Sequence, residues 1–510
     1  MTIARTWAVA LTGLDGALVE VEADLSNQRP EFRIIGLPDK ALGEAVQRVH
    51  NASANCGLVL PHRRLTVNLS PASLPKHGSS FDVAIAIAAL ATEAPMDAAS
   101  LAHTVHIGEL GLDGRLRPVP GVLPAVLAAA RLGMRRVIVP HANHAEAALV
   151  DGIEVIGAIS LGDVARRHGI DVEERSLDPV PGPAVADEDA PNAELAEVIG
   201  QRDAVDALIT AAAGGHHMLM SGPPGAGKTM LATRLPGILP SLGDAQALEV
   251  ASIRSLSGQP VAALQRRPPL EAPHHSASIA ALVGGGSRML RPGAIARATH
   301  GVLFLDEVGE FAPSVLDALR QPLEKGEITI HRAGVTASFP ASFQLILATN
   351  PCPCGNYGVR GGTCVCPPVS IRRYLGRLSG PLLDRVDIEL SLARVSVAHA
   401  SSTLNTGLVT TAEAAARVLA ARDRAGHRLR ETPWSLNARV SGPWLREGPL
   451  ALPPAIRRPI DAALHRGSLT LRGYDRVLRV AWTLSDLADQ PGPTLGDIGR
   501  ALFMKKGITT

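Results

Sequence analysis

Aromatic residues are scarce in this chain: Trp, Tyr and Phe together make up 3% of 510 residues. So few rings argue against a surface that grips single strands mainly by stacking their bases. Long apolar runs are missing as well. The longest, such as "VAIAIAALA" from Val83, fall well short of the roughly 18 residues a spanning helix needs, so no membrane segment is expected. The opening "MTIARTWAVA" lacks the long apolar stretch and small-residue cleavage site of a secretory signal. The expected compartment is therefore the cytoplasm, where thiols stay reduced. With only five cysteines in the chain, a disulfide framework is the weaker reading. Lysine, finally, is absent between Lys76 and Lys228.

What is present suits a globular protein with a sizeable core. Hydrophobic residues make up 46%, and the length allows roughly three domains of about 150 residues each. The net charge of +2 hides an asymmetry. Residues 391–510 hold 17 Lys and Arg against 9 Asp and Glu, and the remainder holds 33 against 39. A basic C-terminal region can face a polyanion, although scattered solvated arginines would read the same way. "DPVPGPAVADEDAP" at 178–191 has the composition of a linker. Before it, "RRLTVNLSP" alternates like a strand, "FDVAIAIAALATEA" reads as a buried helix, and "IGELGLDGRLRPV" as a hairpin turning at Asp113-Gly114. After it, "AELAEVIGQRDAVDALITAAAGG" has a helical pattern and "HHMLMSG" is a buried strand. Such alternation implies a parallel α/β sheet. Beyond about 395 the chain reads as helical.

The glycine loop that follows the strand is "GPPGAGKT": Gly222, Pro223, Pro224, Gly225, Ala226, Gly227, Lys228 and Thr229. It fits G-x-x-x-x-G-K-[ST], whose backbone N–H groups close around nucleotide phosphates. Lys228 would neutralise the β- and γ-phosphates, and the Thr229 hydroxyl would ligate Mg²⁺. "GVLFLDE" then delivers Asp306 and Glu307 at the end of an apolar strand. Asp306 would hold Mg²⁺ through water, and Glu307 would orient and deprotonate the attacking water. An exposed acidic pair after a core strand is the bland alternative. The glycine loop upstream makes ATP hydrolysis the better reading. A third strand, "FQLILATN", ends in Asn350, a polar group placed to meet the γ-phosphate or the lytic water.

These motifs, together with "EVIGQ", "APHHSASIAALVGGGSRMLRPGAIARATHGVLFLDEVGEF", "ATNPCPCG" and "LSGPLLDRVD", resemble the magnesium-chelatase-like AAA+ ATPases of the YifB/ComM type over almost the whole chain. The resemblance implies an α/β fold in which a parallel-sheet P-loop core carries a C-terminal helical lid and follows an α+β Lon-protease-like (S5-like) domain. It makes 273–296 an insertion in the second core helix and 326–341 a β-hairpin before the sensor strand. Arg385 in "LLDR" matches the arginine finger that reaches a neighbouring subunit's γ-phosphate, and Arg472 in "SLTLRGYDR" matches the second-sensor arginine of the lid. A surface ion pair is the plain alternative for each arginine. A finger acting between subunits implies a homo-oligomeric ring, and a hexamer is the family's expectation.

"NPCPCGNYGVRGGTCVCPP" carries four thiols, Cys352, Cys354, Cys364 and Cys366, as two C-x-C pairs between Asn350 and Arg385. Four thiols suit tetrahedral Zn²⁺, and a short loop poor in apolar residues needs a staple to become ordered. The C-x-C spacing is tighter than the usual C-x₂₋₄-C, so free thiols and a redox switch stay open beside structural zinc. Cys56 reads as a core residue. "PKHGSSFDVAIAIAAL" and "GELGLDGRLRPVPGVLPAVLAAARLGMRRVIVP" resemble the segments of Lon-type domains that bear their serine and lysine. Ser80 falls at the nucleophile's place and Leu123 at the lysine's. A Ser–Lys dyad needs an amine, so no active protease is expected.

The expected organisation is a Lon-like domain at 1–175, a linker at 176–192, an ATPase core at 193–394 with its cysteine loop at 350–368, and a lid at 395–510. The work the family resemblance implies is ATP-driven movement on branched or single-stranded DNA, as in branch migration during recombination or natural transformation. The rivals are a motor for Mg²⁺ insertion into a porphyrin and a nucleotide-dependent protein scaffold.

Overall fold

In the computed structural model, residues 3–36, 43–174, 177–182, 193–286, 290–332, 335–359, 362–395, 407–506 and 508–509 are described. Most of the proposed linker lies outside them. The N-terminal strands are Ala4–Thr12 (β1), Asp15–Ser26 (β2), Glu31–Ile35 (β3), Arg64–Ser70 (β4), Thr104–His106 (β5), Arg136–Pro140 (β6) and Glu154–Ala158 (β7). They form one mixed sheet in the order β3-β4-β2-β1-β5-β6-β7. Alternation places Leu65, Val67 and Leu69 of β4 on its buried face. Helix Asp82–Leu90 (α1) is buried at every position, its apolar residues packing on β1 and β2, and helix Val122–Arg131 (α2) packs on the same two strands. The short strands Glu109–Leu110 and Leu116–Arg117 pair antiparallel around the Asp113-Gly114 turn. Cys56 is buried beside that turn, in the core.

Strands Met218–Ser221 (β8), Leu270–Glu271 (β9), Val302–Leu305 (β10), Gln344–Thr349 (β11), Ile388–Ser391 (β12) and Ile508–Thr509 (β13) build a second sheet in the order β9-β10-β11-β8-β12-β13. Every pairing in it is parallel. β10 and β11 are buried along their whole length, which is why they read as unbroken apolar runs. This is a mixed α/β architecture around a parallel sheet, consistent with an AAA+ core.

Two elements depart from the sequence reading. The helical pattern from 193 yields a 3-10 turn at Leu195–Glu197 and an α-helix only at Arg202–Gly214 (α3), because Gly200 sits at φ +80° and breaks the run. The C-terminal region is not purely helical either, since β13 joins the second sheet beside β12.

Helices Lys228–Ile238 (α4) and Asp244–Leu256 (α5) flank the sheet. The long Thr411–Leu429 (α6) starts in a Thr410/Glu413 capping box and packs with Leu471–Leu487 (α7) on α3. Val418, Val477 and Trp482 share one hydrophobic cluster with Leu208, Ile346 and Ile388, so the helical region and the sheet have a common core. A buried polar chain crosses the same boundary. Asp387 bonds His216 (3.0 Å), His216 bonds Thr483 (2.8 Å), and Asn437 bonds both Thr483 and Asp486. The N-terminal region is fastened to α5, where the backbone N–H of Leu123, which also reaches Glu146 (3.1 Å), donates to the Ser255 hydroxyl (3.3 Å). No helix among the described residues is long and apolar enough to cross a membrane.

Candidate nucleotide site and cysteine cluster

The loop between β8 and α4 turns tightly because Gly225 and Gly227 take φ +78° and +83°, a region open to glycine at no steric cost. Lys228, at the first turn of α4, folds back over the loop. Its Nζ donates to the carbonyls of Gly222 (2.7 Å) and Pro223 (3.0 Å) and to Asn350 Oδ1 (3.0 Å). Burial lowers its pKa, against the pull of Asp306 and Glu307. Asn350 ends β11 and Asp306 follows β10, so these groups meet at the carboxyl edge of the parallel sheet. Ligands bind at that edge in open α/β folds. Thr229 Oγ1 donates to Asp306 Oδ2 at 2.6 Å, which sets a hydroxyl and a carboxylate together as a hard oxygen donor pair suited to Mg²⁺.

Glu307 is held at φ +51°, a left-handed conformation that costs a non-glycine residue about 1–3 kcal/mol. Its carboxylate meets His275 Nδ1 at 3.2 Å. Three groups at this edge escaped the sequence reading. His275 comes from the segment before the short helix Ile279–Val283, and "PHHS" was its visible trace. Gln201 Nε2 donates to the carbonyl of Ala226 inside the loop at 2.7 Å. The Tyr374 phenol, its pKa raised by burial, lies in hydrogen-bond reach of Thr349 and of the Asn350 backbone. Gln201 and His275 lie inside the motifs "EVIGQ" and "APHHSAS", but nothing local shows that they reach this edge.

The four cysteine sulfurs gather within 4.8 Å of one another. Cys352 Sγ lies 3.4 Å from Cys354 and 3.7 Å from Cys364, and Cys354 lies 3.7 Å from Cys364. All four are free thiols. Thiolates in a tetrahedron with metal–sulfur distances near 2.3 Å stand about 3.8 Å apart, so the donor set fits zinc. Backbone N–H groups of Asn356 and Val365, with the Cys352 thiol, hold the Cys354 thiol down to about 6. The cluster also touches the phosphate loop: a Cβ on Gly355 would come within 2.4 Å of Pro224 Cδ.

The two arginines are placed elsewhere. Arg385 lies three residues before β12, at the amino end of the sheet, and it pairs with Glu324 and donates to the Pro381 carbonyl. Arg472 opens α7 and meets Asp384 Oδ2 at 3.0 Å. Since β8 and β12 run in register from Met218↔Ile388 to Ser221↔Ser391, four residues separate this edge from the phosphate loop. That is about 13 Å of strand. Neither arginine joins the site of its own chain. They stand side by side, near enough for Arg472 to depress the pKa of Arg385, although burial is the larger cause.

Ser80 lines a 400 Å³ cavity between the N-terminal sheet and the base of the hairpin Glu327–Arg332/Val335–Pro340. Leu123 is fully buried in an apolar cluster, and Lys76 is turned to the carbonyls of Gly36 and Pro71. Among the described residues no lysine lines the cavity.

Family models match most of the chain. One described as magnesium chelatase, subunit ChlI covers residues 194–400. A second, described as subunit ChlI of Mg-chelatase, covers 21–143, and a third, the ChlI C-terminal part, covers 409–505. A Mycobacterium tuberculosis protein is 47% identical over 99% of this chain and 99% of its own. Competence protein ComM of Haemophilus influenzae is 41% identical over 96% and 94%, and Escherichia coli YifB is 39% identical over the same shares. A Lon protease of Mycolicibacterium smegmatis matches at 26% identity over 31% of this chain and 21% of its own.

Proposed function

Because this chain belongs to the ComM/YifB family of magnesium-chelatase-like proteins, we propose that it is an ATP-hydrolysing ring motor acting on DNA, with branch migration as its work. The convergence of Lys228, Thr229, Asp306, Glu307 and Asn350 on one sheet edge carries the reading. Lys228 would exchange its carbonyl partners for phosphate oxygens, and Asn350 would hold it in line. Mg²⁺ at Thr229 and Asp306 would spread the charge that builds on the phosphates. Glu307, released from His275, would take the proton of the attacking water. With Arg385 and Arg472 at the opposite edge, a ring is the arrangement that gives each site its arginines, supplied by the next subunit. A hexamer is the proposed size. Zn²⁺ on Cys352, Cys354, Cys364 and Cys366 would brace the loop that leans on Pro224, and Ser80 would have no protease role. We place the domain boundaries at 175, 192 and 394.

A chelatase motor is the second reading, and one observation favours it. The model matching 21–143 carries a chelatase description too, so the N-terminal region does not set this chain apart from that reading. Full-length colinearity with ComM supports the DNA reading. The test is steady-state ATPase of purified protein with branched DNA, with a chelatase partner, and with neither. Stimulation by the DNA alone is expected. Stimulation by the partner alone would transfer the motor to the chelatase reading, and indifference to both would leave a scaffold.

A further inference from the structure

The amino edge of the second sheet frames a cavity of about 690 Å³, within the range of small-ligand sites. Its lining includes six cationic residues, Lys325, Arg385, Arg422, Arg439, Arg476 and Arg479, but only two carboxylates, Glu324 and Asp387. Those two are already engaged: Glu324 by Arg385, and Asp387 by Arg476 and His216. Among the described residues the other four cations meet no carboxylate within ion-pair distance. Arg422 donates to the Ala212 carbonyl (2.7 and 3.1 Å), Arg479 to the Val440 carbonyl (2.9 Å) and Arg439 to the Ser342 hydroxyl. Arg476 Nε is buried without a hydrogen-bond partner. Burial pushes Arg422 down to about 10 and lowers Arg479 against the pull of Asp387 and Asp475.

Half-buried guanidinium groups whose direct partners are neutral carbonyls and hydroxyls are costly. Gathered in a concave wall, they focus a positive field. Their planar forks match phosphate oxygens two at a time. We propose that this cavity binds a small polyphosphate anion of the di- or triphosphate type. The site is separate from the nucleotide loop, which lies about 13 Å away at the other end of the strands. Arg422, Arg439 and Arg479 come from the C-terminal region, and Lys325 and Arg385 from the sheet region. A bound anion would therefore clamp the two regions together.

The experiment saturates the nucleotide loop of the full-length chain with Mg²⁺ and ADP, then titrates inorganic tripolyphosphate calorimetrically. One further anion per chain is expected, bound equally by dilute monomer and assembled ring. Arg439→Gln with Lys325→Gln changes two exposed residues. It should weaken that step by roughly tenfold or more, given the strength of charge-assisted bonds. Binding of fluorescent ADP and the anion-free melting temperature should not change. No heat after ADP saturation, or equal affinity in the double variant, overturns the site. Binding seen only in assembled rings would assign the arginines to the neighbouring subunit's nucleotide and overturn it too. So would displacement of tripolyphosphate by a short single-stranded oligonucleotide, because the face would then be a DNA contact.

Discussion

Thr229 Oγ1 lies 2.6 Å from Asp306 Oδ2, so the end of one strand is tied to the first turn of the helix after another. The bond fixes the spacing between the phosphate loop and the strand that carries Glu307. From this geometry, Glu307→Gln should retain ATP and lose turnover by at least about a hundredfold, because an amide cannot accept the water's proton. Lys228→Ala should instead weaken nucleotide binding itself. Fluorescent-nucleotide affinity and steady-state hydrolysis separate the two effects. Hydrolysis at the wild-type rate in Glu307→Gln would remove Glu307 from the chemistry.

Arg385 stands at the far strand edge from Lys228, so Arg385→Ala should bind nucleotide and fail to hydrolyse it. Mixing it with Glu307→Gln protein tests the direction of action. Some interfaces would then combine an intact Glu307 with an intact arginine, and activity should partly return. Mixed rings, confirmed by differential tags yet inactive, would count against action across the interface.

A buried histidine pair gives the N-terminal sheet a measurable pH response. His106 Nε2 meets His168 Nε2 at 2.9 Å. Thr6 and Ser100 hold the outer nitrogens at 2.9 and 3.0 Å. Burial lowers the pKa values to about 3 for His106 and about 4 for His168. His168 charge adds to the effect on His106; Arg136 adds to that on His168, and Asp97 opposes it. Below about 6.5 the unfolded chain takes up protons that the folded chain refuses. The stability of the neutral pair is therefore complete above that pH and is lost toward about 3, at about 1.4 kcal/mol per pH unit per histidine. Asp82, raised to about 6 chiefly by burial and salt-bridged to Arg48, works in the opposite sense. The readout is therefore a difference. Between pH 7 and 5 the urea midpoint of wild type should fall further than that of His106→Gln. Parallel curves would contradict it.

Local features were legible in the sequence and tertiary ones were not. The phosphate loop is eight contiguous residues whose backbone does the binding, and β10 and β11 announce themselves as apolar runs ending in Asp306 and Asn350. The hairpin at 327–340 was legible through the family resemblance, whereas the capping box that starts α6 was not read from the sequence. His275, Gln201 and Tyr374 reach the site only through packing, so no spacing rule finds them. Arg385 and Arg472 matched family positions. Their shared place opposite the phosphate loop depends on the strand register between β8 and β12. Gly200 shows the limit of periodicity: one residue at positive φ cut the expected helix short.

The cysteine cluster makes the sharpest claim. The Cys352, Cys354 and Cys364 sulfurs lie 3.4–3.7 Å apart and Cys366 within 4.8 Å of them, too far for disulfides and a spacing that suits thiolates around zinc. Protein purified without added metal should carry about one zinc per chain, since four thiolates close a tetrahedral site. Cys364→Ser with Cys366→Ser should lose it. The main fold should persist, because the cluster orders a local loop outside both sheets. Nucleotide should still bind at Gly222–Thr229, a separate segment of the chain, while ring assembly and turnover decline. Metal analysis of fresh protein and thiol titration decide the matter together. Zinc near zero with four freely reacting thiols would leave Cys352, Cys354, Cys364 and Cys366 an unmetallated loop.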